Sequence, residues 1–132
     1  QGFRLPGQKY ISDNSSKEGV VTLPSGLQYK IIKAGEGQVS PQKNDKVLVN
    51  YRMKTIDGKV FSSTYPLDIP TPQVLPVNKG IAGWTEALLL MHEGDQWEVT
   101  IPTRLAYRDS GPLGGQTVIL ELELLEIFPE GT

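Results

Sequence analysis

Along most of the chain, apolar and polar residues alternate in short stretches, with the two-residue period of half-buried β-strands. The clearest stretch is 45–55, in which the apolar residues Val47, Val49, Tyr51 and Met53 alternate with residues that are mostly polar. The same alternation recurs in segments 23–32, 96–101 and 118–127. These segments therefore predict antiparallel strands that bury one face and expose the other.

Turn residues indicate how these strands are connected. Asp57 and Gly58 lie between two strand-like runs and both tolerate positive φ, so they predict a hairpin whose return strand is 59–63. Segment 65–76 contains four prolines and is predicted to be a loop or a sheet edge, because proline cannot donate to a β-ladder. The long apolar face of 118–127 places that strand inside the sheet.

One segment, 85–91, has the helical period instead, and Trp84, Leu88 and Met91 share its apolar stripe. The polar stretch 7–19 is interpreted either as the end of a helix or as an extended lead-in. Together the elements predict an α+β fold, in which a curved antiparallel sheet of five or six strands forms a half-barrel around one short helix.

Composition excludes several classes of chemistry. The 132 residues contain no cysteine, which excludes disulfides and thiolate sites, and the single histidine excludes most zinc sites. A net charge of -2 gives no basic excess for binding nucleic acid. The carboxylates Glu121 and Glu123 share an exposed strand face and are interpreted as solubilising. No metal, cofactor or nucleic-acid partner is expected.

Four aromatic residues lie beside turns or at the ends of predicted elements: Tyr51, Phe61, Trp84 and Tyr107. They could form an apolar cup that binds a proline-containing peptide, since such a cup needs only one or two donors at its edge. Alternatively, they are ordinary core residues, and the residues alone favour this second interpretation.

The order of six motifs resembles the FKBP family of peptidyl-prolyl cis-trans isomerases. The motifs are LPSGLQYKII, VNY, IDGKVFSS, GIAGWTEALLLMHEGD, IPTRLAY and VILELELLEI. The resemblance extends from Lys9 to Phe128, and the lead-in is similar to the Mip-type branch. It implies a lead-in at 1–19, interpreted as the end of a helix from an upstream dimerisation region, and an FKBP-like domain at 20–132.

The resemblance also implies the site. Trp84 would form the floor beneath the proline ring, while the Ile81 N–H and the Tyr107 hydroxyl would donate to the substrate, so these three are the predicted catalytic residues. The other predicted substrate-binding residues are Tyr51, Phe61, Ser62, Gln73, Gly80 and Leu120.

The sequence departs from the family pattern around this site. Three residues replace ones that are usual in the family: Ser62 replaces an aspartate, Gly80 a valine and Arg108 a glycine. Gln73 stands where an apolar residue is common, and Leu120 stands where an aromatic residue is common. About four residues of the flap are missing between Gly115 and Gln116. We therefore expect a shallower cup that binds proline less tightly.

The predicted function is a peptidyl-prolyl isomerase that assists protein folding with reduced efficiency. The alternative is a non-catalytic peptide-binding or chaperone module on the same scaffold. The resemblance implies proline-containing polypeptides as partners, weak macrolide binding, a homodimer formed through a region upstream of Gln1, and export to the periplasm or cell envelope.

Overall fold

The computed structural model describes residues 4–131, which form one seven-stranded antiparallel sheet and two α-helices. The elements in chain order are α1 (Arg4–Ser15), β1 (Val20–Thr22), β2 (Gln28–Lys33), β3 (Lys46–Thr55), β4 (Val60–Ser63), β5 (Gln73–Pro76), α2 (Ala82–Leu88), β6 (Gln96–Ile101) and β7 (Val118–Phe128). Short 3-10 helices lie at Pro66–Asp68 and Thr103–Leu105. The predicted α+β class is confirmed, although the sheet has more strands than the five or six expected.

Strand β7 lies inside the sheet, as predicted. The strand order is β1-β2-β6-β7-β3-β4, with β5 also pairing with β3. Strand β7 pairs with the whole length of β3 on one side and of β6 on the other. The extra strand β5 forms inside the proline-rich segment because it lies at an edge, where Pro76 need not donate to a further neighbour.

Helix α2 supplies one side of the core. Trp84, Leu88 and Met91 are all buried in one hydrophobic cluster with residues of β3, β6 and β7, as the predicted stripe requires. The helix begins and ends one turn earlier than the predicted 85–91, because it includes Gly83, a residue type that disfavours helix. A Cβ on Gly83 would lie 2.5 Å from an Ile101 methyl, so glycine permits the close approach of α2 to β6.

Residues 7–15 belong to helix α1, so the interpretation of 7–19 as the end of a helix holds as far as Ser15. Hydrogen bonds connect α1 to β2 and β6. The buried Asn14 amide donates to Gln28 Oε1 at 2.8 Å and to Thr100 Oγ1 at 3.3 Å. Gln28 Nε2 in turn donates to the Ile11 carbonyl at 2.9 Å. Neither α-helix of the described part has the length and apolar character of a membrane span.

The Asn14→Ala substitution tests this docking. It leaves Gln28 Oε1 buried without its donor, so we expect the free energy of unfolding to fall by about 1–3 kcal/mol. Urea unfolding measures the change, and Ser16→Ala, at an exposed position just beyond α1, is the control, with an expected change below about 0.5 kcal/mol. Equal stability of the two variants would contradict the docking role.

Candidate functional site

A cavity of about 420 Å³ opens between α2, β3 and the segments that follow β5 and β6. Six of the nine predicted site residues line it: Tyr51, Ser62, Gly80, Ile81, Trp84 and Tyr107. Met53, Leu75, Pro76 and Lys79 complete the lining. The cavity is therefore mostly apolar, with a lysine at its edge.

Trp84 is fixed in the cavity wall by burial, a hydrogen bond and an aromatic contact. Its side chain is only 3% exposed, and its indole Nε1 donates to the Pro76 carbonyl at 3.3 Å. The Tyr51 ring meets it edge-on, with 5.5 Å between the ring centroids. Beside it, Thr85 Oγ1 donates to the Val77 carbonyl at 2.7 Å and ties α2 to the segment after β5. The indole thus has one defined orientation.

Tyr51 is positioned where β4 and β5 leave a gap along β3. Its backbone N–H donates to Thr64 Oγ1 at 2.9 Å, and that hydroxyl lies 3.0 Å from Asn50 Oδ1. Asn50 is therefore buried, although the alternation predicts an exposed position for it. The Tyr51 hydroxyl shares a hydrogen bond of 2.8 Å with Ser62 Oγ. Serine at this position thus orients the Tyr51 ring.

Tyr107 is supported by Phe61, which lies behind it and does not line the cavity. Their ring centroids are 6.0 Å apart at an interplanar angle of 73°. Burial, helped by the nearby Tyr51, raises the pKa of Tyr107 above its ordinary value. The hydroxyl has no hydrogen-bond partner among residues 4–131. It is therefore a neutral donor that remains open to a ligand at physiological pH.

The Ile81 N–H is the second open donor. It makes no hydrogen bond to any residue of the described chain, while the Ile81 carbonyl accepts the Trp84 N–H at 3.1 Å. The preceding Gly80 has φ +111°, a conformation that residues with a Cβ rarely adopt. A Cβ there would have room, 3.8 Å from the nearest Trp84 atom, so the backbone conformation rather than space explains the glycine.

The structure does not bring Gln73 or Leu120 to the cavity. Gln73 shares a strand face with Leu75 but lies two residues before it, at the start of β5, where it is exposed. Leu120 is fully buried within the core cluster. Arg108, which replaces a usual glycine of the family pattern, lines a neighbouring groove and not the cavity. No residue of 108–116 lines the cavity.

Four lining residues were not predicted from the sequence. Met53 follows Tyr51 by two residues on β3, so the strand alternation could have identified it. Leu75, Pro76 and Lys79 belong to or follow the segment interpreted as a loop or a sheet edge, whose pairing with β3 depends on long-range contacts. The sequence therefore carried no comparable signal for these three.

Several charged side chains of the sheet and of the segment after α2 form ion pairs outside the cavity. Glu121 accepts a hydrogen bond from Lys54 at 2.8 Å and lies 3.6 Å from Arg52, on the sheet face opposite the core. Glu121 raises the pKa of Lys54. His92 Nδ1 lies 3.6 Å from Asp95. In residues 4–131 no group of His, Asp and Glu side chains could hold a metal ion. The cavity thus combines apolar surface with the two open donors and the Lys79 ammonium, and the described residues that line it include no carboxylate or imidazole.

Two family models match the chain. One, described as FKBP-type peptidyl-prolyl cis-trans isomerase, matches residues 37–125. The other, described as the domain amino terminal to FKBP-type peptidyl-prolyl isomerase, matches residues 4–31. Together they include α1 and every strand residue except the last two of β2 and the last three of β7.

Curated relatives agree with these matches. The chain is 44% identical over 132 residues to the FKBP-type 22 kDa peptidyl-prolyl cis-trans isomerase of Escherichia coli K12, covering 97% of this chain and 63% of that protein. It is 46% identical over 128 residues to the outer membrane protein MIP of Legionella longbeachae, covering 94% and 54%. The crystal structure of FkpA from Escherichia coli superposes with a TM-score of 0.87 at 33% identity, covering 95% and 59%. The chain thus spans between half and two thirds of these proteins.

Proposed function

Because the chain belongs to the family of FKBP-type peptidyl-prolyl cis-trans isomerases, we propose that it catalyses rotation about Xaa-Pro bonds in folding proteins. The observation that carries this proposal is the apolar cavity that combines the Trp84 indole with two open donors, the Ile81 N–H and the Tyr107 hydroxyl. These three residues are the proposed catalytic residues. Tyr51, Ser62 and Gly80 are proposed to contact the substrate as well.

The proposed mechanism follows from amide physics. Rotation about the peptide bond crosses a barrier of about 18–20 kcal/mol because resonance must be broken. A dry, apolar cavity disfavours the polar planar amide more than the twisted one, which has lost resonance. Packing of the proline ring on Trp84 holds one side of the bond. Hydrogen bonds from the Ile81 N–H and the Tyr107 hydroxyl hold a substrate carbonyl while the bond twists. No proton is transferred.

We propose that turnover is slower than in a cavity with a full flap. No residue of 108–116 lines the cavity, and Ser62 offers a short hydroxyl in place of the family's usual carboxylate. Each 1.4 kcal/mol of lost transition-state stabilisation lowers the rate by about tenfold. If the cavity binds proline peptides without turnover, the non-catalytic alternative applies.

The proposed substrates, cellular location and oligomeric state are based on the relatives. FKBP isomerases act on proline-containing peptides, and we propose such segments of unfolded chains as substrates. A relative named outer membrane protein MIP supports export to the periplasm or cell envelope. Residues 4–31 match a domain amino terminal to FKBP-type isomerases, and we propose that a homodimer forms through an amino-terminal region of this kind.

A matched pair of tryptophan variants tests the role of Trp84. Trp84 and Trp97 are each 3% exposed, but Trp97 stacks on Tyr29 and does not line the cavity. Replacing either by leucine should destabilise the protein, by about 2–4 kcal/mol. In a protease-coupled proline-peptide assay, Trp84→Leu should lose at least about tenfold in kcat/KM. Trp97→Leu should retain most activity. Equal activity of the two folded variants would contradict the assignment.

Tyr107→Phe tests the hydroxyl alone. The ring that packs on Phe61 is kept, and the hydroxyl has no partner to lose among the described residues, so stability should change by less than about 0.5 kcal/mol. Loss of one donor to the substrate should lower kcat/KM by about 3- to 10-fold. Tyr10→Phe, on α1 and away from the cavity, is the control. An unchanged rate in Tyr107→Phe would remove the hydroxyl from the mechanism.

Macrolides that fill the family's pocket should bind weakly, because Ser62 replaces a carboxylate and no flap covers the cavity. Isothermal titration calorimetry of the chain and of Ser62→Asp measures this. A carboxylate accepts a stronger hydrogen bond than a hydroxyl, so Ser62→Asp should tighten binding by about 5- to 10-fold. Tight binding by the unaltered chain would contradict this prediction and show that the cavity needs neither a carboxylate at position 62 nor a flap.

A further inference from the structure

A second concavity lies directly beside the cavity. This groove has a volume of about 680 Å³ and shares Gly80 and Ile81 with the cavity, so the open Ile81 N–H stands at their boundary. A peptide bound at that N–H would continue from the cavity into the groove. The other groove residues come from α2 and from the segments around residues 43, 78 and 104–108.

The groove is cationic, although the whole chain has a net charge of -2. Lys43, Arg104 and Arg108 line it, against a single carboxylate, Glu86. Both Glu86 oxygens lie within 2.8 Å of the Ser25 hydroxyl, and Arg104 donates to the Ser25 carbonyl. In the part of the chain that the structure describes, none of the three cations has a carboxylate within ion-pair distance. The side chains that line the groove therefore keep a net positive charge, with three cations against one carboxylate.

The backbone of Arg108 is held firmly next to Tyr107. Its N–H donates to the Thr103 carbonyl at 2.9 Å, and its carbonyl accepts the Thr103 hydroxyl at 3.0 Å. The residue has φ +55°, a left-handed conformation in which glycine would be less strained. The exposed guanidinium is thus presented to the groove from a fixed point of the backbone, one residue after Tyr107.

We infer that this groove binds a carboxylate of the substrate, so that the preferred substrates carry Asp or Glu within about three residues of the proline. This inference rests on the proposed function. Arg108 is its principal specificity residue, because a guanidinium binds a carboxylate through paired hydrogen bonds, and Lys43 and Arg104 add charge. Asn78 and Thr85 are further polar groups of the groove.

Exchange spectroscopy by NMR tests the inference without a coupling protease. Peptides carry one proline and Glu, Gln or Lys at one of three positions before or after it. The best Glu peptide should exceed its Gln counterpart in kcat/KM by about 3- to 5-fold at about 20 mM salt, and the Lys peptide should be slowest. The difference should shrink below about twofold at about 0.5 M salt, where charges are screened.

Variants of Arg108 assign the effect to the groove. Arg108→Gly should reduce the Glu-to-Gln ratio towards one without lowering the urea midpoint, since glycine suits the positive φ. Arg108→Lys should restore part of the ratio, and Arg108→Glu should invert it. Lys33→Gln, an exposed cation on β2, should leave the ratio unchanged.

The outcomes separate this inference from the proposed function. Turnover of all peptides at equal rates, whatever their charge, would overturn the groove assignment and keep the isomerase. Absence of all turnover would overturn the isomerase, and the groove would then be judged by peptide affinity from chemical-shift titration. Equal affinity of Glu and Gln peptides in that titration would overturn the groove assignment too.

Discussion

The close approach of α2 to β6 is the constraint on which the site depends. Gly83 lies so near the Ile101 side chain that a Cβ would overlap it, and this contact sets the depth at which α2 lies in the core. Trp84 follows directly and is therefore held with its indole against the cavity rather than deep in the sheet. The hydrogen bond from its Nε1 to the Pro76 carbonyl then fixes the orientation of the ring.

The molecule separates apolar and charged chemistry between its surfaces. The cavity combines apolar side chains with donors that the fold itself leaves unused, which suits a reaction without proton transfer. The ion pairs of Glu121 with Arg52 and Lys54 lie on the other sheet face and serve the fold. The groove beside Ile81 is different, because its cations have no such partners. Binding of proline and selection among proline peptides would thus be performed by adjoining surfaces.

Sequence periodicity predicted those parts of the fold that depend on local pattern. The buried faces of β3, β6 and β7 and the stripe through Trp84 followed from it, because alternation and helical spacing determine which side chains share a face. Periodicity does not determine which residues of a shared face lie at the cavity. Gln73 shares a face with Leu75 and still lies outside the cavity. Asn50 was buried by Thr64, a contact between distant segments.

In the proposed mechanism, a substrate proline lies on the Trp84 indole while its peptide bond rotates. Intermolecular nuclear Overhauser effects, recorded on the labelled chain with an unlabelled proline peptide in fast exchange, test this most directly. We expect contacts from the proline ring protons to the Trp84 and Tyr107 rings, and none to Trp97. Accelerated exchange with proline contacts confined to other parts of the chain would contradict it.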